Sequence, residues 1–239
     1  MKDSEKARAC QFPLHLEDPR MRDYQRDFLQ VSLDKDILKF RKEGFILKSG
    51  RLSPYFFNAG LFNSGHLLSQ LSKAYAKALV DPLNLFDFDI LFGPAYKGIP
   101  LAVATCQALS ALGRDVEYSF NRKEVKDHGE GGNIVGAPLK GKKVVIIDDV
   151  ITSGKAIREA IEIIKMEGGT LTGILVAVDR QEQTQESTIS AIESLRKEVG
   201  INIQAIITLR DIIEFTEDTL GPDTLQQLEE YRARYGVNI

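Results

Sequence analysis

Two adjacent aspartates are the first residues whose types and spacing suggest chemistry. In residues 144–156, VVIIDDVITSGKA, a run of buried-type apolar residues delivers Asp148 and Asp149 to the carboxyl end of a strand. That is where open α/β sheets bind ligands. Thr152, Ser153 and Gly154 then form a short turn that opens a helix. Free N–H groups at a helix start, with the macrodipole behind them, cradle phosphate, and glycine lets the backbone approach closely. Two carboxylates beside a phosphate cradle suit a phosphorylated sugar, the carboxylates accepting hydrogen bonds from hydroxyls. The pair could also serve only as favourable charge at a helix start. Two other phosphate motifs are excluded. Asp149 stands where a Walker A loop needs glycine and Ala156 where it needs Ser or Thr, and Gly129-Glu130-Gly131-Gly132 lacks the strand-to-helix context of a dinucleotide fingerprint.

The elements that must position this segment follow from periodicity. A helix opens at Met21, with Tyr24, Phe28 and Val31 at helical spacing. Ser32 or Asp34 could cap a second stretch of helix ending at Gly44. Residues 45–60 read as a strand pair with a turn, broken by Gly50 and Pro54. Helices are predicted over 65–80, 97–111, 154–167, 187–199 and near 222–235, and strands over 89–92, 116–120, 143–147, 171–178 and 201–207. Residues 121–136, NRKEVKDHGEGGNIVG, are charged, glycine-rich and without an apolar face, and read as a long mobile loop. Helical crossovers require parallel strands, so the fold class is α/β, a mainly parallel sheet flanked by helices.

The chain has 239 residues, 43% of them apolar and 27% charged, enough to bury a sizeable core. Lys and Arg number 31 against 34 Asp and Glu, a net charge of −3, unlike a general nucleic-acid binder. Cys10 and Cys106 suggest neither a disulfide framework nor a zinc site, which fits a reducing compartment. No stretch approaches the roughly 18 apolar residues of a membrane span, and the first twenty residues lack the apolar core of a signal peptide. The expectation is a cytoplasmic protein with no membrane or nucleic-acid partner. It comprises a disordered extension over 1–20 and a single domain over 21–239. Translation from Met21 fits the same reading.

The motif at 144–156 resembles the phosphoribosyl-pyrophosphate (PRPP) motif of the type I phosphoribosyltransferases. Three further segments, LKSGRLSPYFFNAG (47–60), FGPAYKGIP (92–100) and FNRKEVKDHGEGGNIVG (120–136), are similar to the orotate phosphoribosyltransferases. The resemblance runs from about Met21 onward, with four motifs in the family's order. It implies the type I phosphoribosyltransferase fold, with a small N-terminal subregion forming a hood over the site. It also implies transfer of phosphoribose from PRPP to orotate, giving orotidine 5′-phosphate and pyrophosphate in UMP biosynthesis, through a transition state of oxocarbenium character.

Residue by residue, the resemblance assigns Asp148 and Asp149 to the ribose hydroxyls. Val150, Ile151, Thr152, Ser153, Gly154, Lys155 and Ala156 wrap the 5′-phosphate, with Thr152 also reaching orotate. Tyr96 and Lys97 match the pyrophosphate loop, in which family members often hold a non-proline cis peptide, expected at Ala95–Tyr96. Arg122, Lys123, Lys126 and His128 match pyrophosphate contacts from a loop that closes over a neighbouring subunit's site, implying a homodimer with shared sites. Lys126 is the expected rate-determining charge, and Asp148, Asp149 and Lys126 form the catalytic set. Lys48 lies near the shared ligand, and Phe56, Phe57 and Arg180 belong to the orotate pocket. Adjacent aromatics in a strand can equally be core, and a strand-end arginine can be surface. Mg²⁺ is implied by the diphosphate and held mainly by PRPP and water, with no dedicated protein metal site.

Two features depart from the family pattern: Lys155, where a small or hydroxyl residue is commoner, and the charged stretch RKEG (41–44) ahead of Lys48. Two other functions share parts of this pattern, a PRPP-sensing regulator and a transferase for a different base. Lys126 and His128 in the loop, and no basic recognition helix near the N-terminus, argue against the regulator. Phe56, Phe57 and Arg180 favour orotate.

Overall fold

A computed structural model describes residues 21–126, 132–152, 154–184 and 187–237. The expected disordered extension over 1–20, together with His128 and Ser153, lies outside the described residues.

The chain opens with helix α1 (Asp23–Asp34) and a two-stranded antiparallel sheet of β1 (Leu38–Ile46) and β2 (Leu52–Phe57). Then follow α2 (Gly65–Val80), β3 (Ile90–Gly93), α3 (Gly98–Ala111), β4 (Glu117–Lys126), β5 (Gly132–Gly136) and β6 (Lys143–Val150). The remainder is α4 (Lys155–Met166), β7 (Thr170–Asp179), α5 (Ala191–Val199), β8 (Asn202–Thr208), α6 (Leu209–Thr216) and α7 (Pro222–Tyr235). The main sheet has the order β5-β4-β3-β6-β7-β8, and only β5 runs antiparallel to its neighbour. From β3 the chain moves one way to β4, and from β6 the other way to β7 and β8. The crevice between the carboxyl ends of β3 and β6 is therefore the topological switch point, where such sheets bind ligands.

The alternation of β6 divides the core. Val144 and Ile146 face one layer with Ile157, Ala160 and Ile164 of α4 and Ile192 and Leu195 of α5. Val145 and Ile147 face the other with Leu71 and Tyr75 of α2 and Leu109 of α3. Side chains leaving opposite faces of a strand in turn require both layers to be apolar, so the central strands read as continuous hydrophobic runs.

Four expectations are corrected. Residues 38–46 form strand β1, not a second helix. Asp36 takes φ +56°, which stops α1, and Leu38, Lys39 and Phe40 pair with Phe57, Phe56 and Tyr55. Ser32 caps nothing; its buried hydroxyl donates to the Phe28 carbonyl one turn back, 2.7 Å. Residues 121–136 are not one loop, because β4 continues to Lys126 and β5 returns against it, with Asn121 opposite Ile134 and Lys126 opposite Gly132. The helix expected from 187 begins at Ala191, where Ser190 Oγ accepts the Glu193 N–H. Helix α6 was not anticipated. A capping box of Thr208 and Asp211 starts it, and Leu209, Ile212 and Thr216 form its buried face.

The RKEG departure is absorbed as a bulge. Phe40 pairs with Tyr55 and Phe45 with Ser53, so the extra residues of β1 loop out and register resumes beyond them. Gly44 in this bulge has φ +75°.

Candidate active site

The crevice is assembled from the ends of β3 and β6. Asp148 and Asp149 are the last buried residues of β6, at 9% and 7% exposure, so the acidic pair sits inside the strand end rather than on the turn beyond it. Asp148 Oδ1 accepts the Asp149 N–H at 2.9 Å, and Asp149 Oδ1 accepts the Val150 N–H at 2.8 Å. Burial, and then the adjacent Asp149 charge, push the Asp148 carboxyl up to about 7, against the pull of the Asp149 N–H and of Lys97. From below, the Tyr75 hydroxyl of α2 donates to the Asp148 carbonyl at 2.7 Å. Burial and the two carboxylates hold that phenol well above its ordinary value, so it stays a donor.

Across the crevice, the segment after β3 brings Lys97, whose Nζ lies 2.6 Å from Asp149 Oδ2. The Ala95–Tyr96 peptide is cis, at the expected position. Tyr96 is largely exposed beside it. The segment folds back so tightly that a Cβ on Gly93 would stand 2.2 Å from the Gly98 carbonyl oxygen. A Cβ on Gly98 would stand 2.7 Å from the Gly93 carbonyl carbon. Both positions therefore require glycine. Asn121, at the base of the β4–β5 ribbon, accepts the Ala95 N–H through Oδ1 at 3.0 Å and so ties the ribbon to this loop.

After β6 the chain turns through Ile151 and Thr152 to Gly154, which caps α4 with φ +71°. These residues line an open cavity of about 380 Å³ together with Asp148, Val150, Lys155 and Ala156. The first N–H groups of α4 have no carbonyl partner within the helix and face this end of it. Lys155 projects from the first turn of α4, with Glu159 Oε1 3.9 Å from its Nζ. Lys123 of β4 lines the same cavity. Arg122 precedes it in the ribbon, and Lys126 ends β4 with its side chain outside the described ones.

A second cluster stands at the end of β7. Arg180 follows the strand, with Nε 2.8 Å and Nη2 2.7 Å from Glu182 Oε1; Nη2 also donates to Ser53 Oγ at 3.0 Å. Its guanidinium lies 4.1 Å from the centre of the Tyr55 ring. Arg51 faces the other oxygen of Glu182 at 3.5 Å. These contacts seat the β1–β2 sheet on the end of β7. Lys48 is exposed in the turn joining β1 and β2. Phe56 and Phe57 leave opposite faces of β2. Phe56 is partly exposed and stacks on Phe45, whereas Phe57 packs on Phe28 and Phe62 against the core.

The structure thus brings Asp148, Asp149, Lys97, Lys123 and the 150–156 turn to one crevice, with Arg180 in the neighbouring cluster. Sequence reasoning missed Tyr75, Asn121, Arg51, Ser53 and Glu182. Asn121 lay within a quoted motif, and Glu182 follows Arg180 by two residues. Arg51 and Ser53 also lay within a quoted motif, whereas nothing in the sequence signals that Tyr75 would reach these sites.

A family model described as the phosphoribosyl transferase domain matches residues 62–209. An orotate phosphoribosyltransferase of Cronobacter sakazakii is 53% identical over 219 residues, covering 91% of this chain and 100% of that one. One from Halorhodospira halophila is 51% identical over the same length, with the same coverage. Among solved structures, the orotate phosphoribosyltransferase of Francisella tularensis matches with a TM-score of 0.80 and 39% identity, covering 87% of this chain and 98% of that one.

Proposed function

The chain belongs to the orotate phosphoribosyltransferases, and from that premise we propose how its own residues divide the work. The reaction joins orotate to the ribose of PRPP, releasing pyrophosphate and forming orotidine 5′-phosphate for pyrimidine biosynthesis. The bond from C1 of the ribose to the diphosphate oxygen breaks, its electron pair leaves with pyrophosphate, and the orotate nitrogen supplies the new bond. Positive charge gathers on the ribose ring and negative charge on the leaving group. Catalysis therefore asks for fixed charges of both signs and for exclusion of water.

The observation that carries the assignment is the pairing of Asp149 with Lys97 across the switch-point crevice, beside the start of α4. In this reading Asp148 and Asp149 accept hydrogen bonds from the ribose hydroxyls. Residues 150–156, Ser153 among them, surround the 5′-phosphate, with Thr152 shared with the base. Tyr96, Lys97 and the surrounding backbone take the pyrophosphate. Arg122, Lys123, Lys126 and His128 neutralise it as it departs, and Lys126 carries the largest share. Arg180, Phe56 and Phe57 hold orotate, and Lys48 lies near the shared ligand. Mg²⁺ takes six oxygen ligands, and two carboxylates supply too few. The diphosphate and water would provide the rest, and Asp148 and Asp149 are the carboxylates of the crevice that could add to them. When bound, the metal neutralises diphosphate charge.

The same reading makes the enzyme a homodimer with shared sites. Arg122 stands next to Lys123 on β4, in the ribbon that this reading extends over the neighbouring subunit's site. Cys106 is a buried free thiol, suited to a reducing compartment, and we place the enzyme in the cytoplasm. No helix among the described residues is long and apolar enough to cross a membrane.

The assignment is tested by mixing protein, PRPP, Mg²⁺ and orotate and following the near-ultraviolet absorbance of orotate. Loss that needs both PRPP and Mg²⁺ is expected; loss that persists without Mg²⁺ would remove the metal from the scheme. For the shared site, hybrids of an Asp149→Asn chain and a Lys126→Ala chain should regain partial activity. Hybrids no more active than either parent would place each site within one chain.

A further inference from the structure

We infer that Glu182 is a positioning residue for the base: its carboxylate aims the Arg180 guanidinium and balances Arg51, and so sets the enzyme's affinity for a planar monoanionic base. This rests on the reading that Arg180 contacts orotate. Arg180 offers five N–H donors in a rigid plane. Its Nε and Nη2 both meet Glu182 Oε1, at 2.8 and 2.7 Å, and Nη2 also reaches Ser53 Oγ at 3.0 Å. The guanidinium carbon also lies 4.1 Å from the centre of the Tyr55 ring, so these contacts together hold the group in place.

The charges follow the same logic. Glu182 faces two guanidiniums, Arg180 at 2.7 Å and Arg51 at 3.5 Å, and all three side chains are mostly buried. Asp179, the last residue of β7, adds a second carboxylate close enough to act on Glu182 and on the Tyr55 hydroxyl, so the part of Glu182 is to orient Arg180 rather than to fix a net charge. Glu182 is itself held by backbone. It bridges to Gly236, while the Gln183 N–H donates to the Tyr235 carbonyl and the Val237 N–H to the Gln181 carbonyl. The Arg51 guanidinium, 4.9 Å from the centre of the Tyr235 ring, closes the cluster against α7.

The test is a double-mutant cycle of Glu182→Gln and Arg180→Ala, with KM measured for orotate and PRPP separately and folding checked by thermal melting. E182Q is expected to raise the orotate KM about tenfold or more, the scale of one charge-assisted hydrogen bond, with the PRPP KM nearly unchanged. Glu182→Asp should fall between wild type and E182Q. Added to R180A, E182Q should change the orotate KM by less than about twofold, because the contact it acts through is gone. An equal rise in the PRPP KM, or the full E182Q effect persisting in the R180A background, overturns the inference. If R180A leaves the orotate KM unchanged, the reading of Arg180 fails and the inference with it. If R180A raises it and E182Q does not, only the inference falls. Should E182Q not fold, the Asp variant carries the same cycle.

Discussion

The carboxyl ends of β6 and β7 are neighbours in one sheet, yet they are built on opposite plans. At β6, thirteen consecutive residues supply strand, acidic pair, turn and helix start, and the decisive hydrogen bonds join adjacent residues. At β7, Arg180 depends on Ser53, Tyr55 and Glu182, with contacts that span 127 positions of the chain. In the proposed assignment the first site takes the part of the substrate that recurs throughout phosphoribosyl transfer, ribose and phosphate, and the second takes the base. A local motif travels intact between proteins, while a site made by distant contacts is specific to the whole arrangement of hood, sheet and C-terminal helix.

The largest expected effect separates chemistry from base binding. Lys126→Ala should cost about 3–4 kcal/mol of transition-state stabilisation, a drop in kcat of roughly 10²- to 10³-fold. Orotate binding should stay close to wild type, and an orotate Kd that rises in step would merge the two regions the comparison keeps apart.

A smaller effect concerns the cost of the β6 site to the fold. Asp148 titrates at about 7 in the folded protein, against about 3.9 for an unperturbed carboxyl. From about pH 4 to about pH 7 the unfolded chain gives up this proton while the folded chain keeps it. The group therefore stabilises the ligand-free protein below about pH 4, loses that contribution as pH rises to about 7, and changes nothing above. Asp148→Asn removes up to ~4 kcal/mol of this penalty. Its ligand-free melting temperature at pH 8 should exceed that of wild type by several degrees and vary less with pH, while turnover is lost. A lower melting temperature would mean that the carboxylate is structural. In wild type, kcat/KM for PRPP should fall on the acid side with a midpoint near 7.

The smallest effect divides the base region itself. Phe57→Ala should cost about 2 kcal/mol, below the range for a fully buried ring. Phe56→Ala should change stability by less than about 1 kcal/mol, as partly exposed positions do. Equal losses by chemical denaturation would show that the two faces of β2 are not distinct.

The β6 region was legible in sequence because apolar run, acidic pair and turn are contiguous, each read by a local rule. The alternation of layers followed from the same runs. Residues 38–46 were misread because LKFRKEG fits helical spacing as well as a bulged strand, and only pairing with β2 decides between them. The charged run at 121–136 hid two strands, because Asn, Arg, Lys and Glu dominate β4 beyond Phe120 and the apolar Ile134 and Val135 of β5 are too few to show an alternation. The role of Arg51 was invisible for the reason the β7 region is specific, since its partner Glu182 lies far away in the chain, while Glu182 stands two residues from Arg180 with no local rule to say that their side chains would meet.

The close approach of Gly93 and Gly98 has an evolutionary reading. Each glycine occupies the space a side chain on the other would need, with 2.2 Å and 2.7 Å left to a Cβ. No single replacement at either position is neutral, and changing both together makes the collision worse. Drift cannot sample this turn one step at a time, so descendants of this chain must inherit the pair as a unit or rebuild the whole connection between β3 and α3.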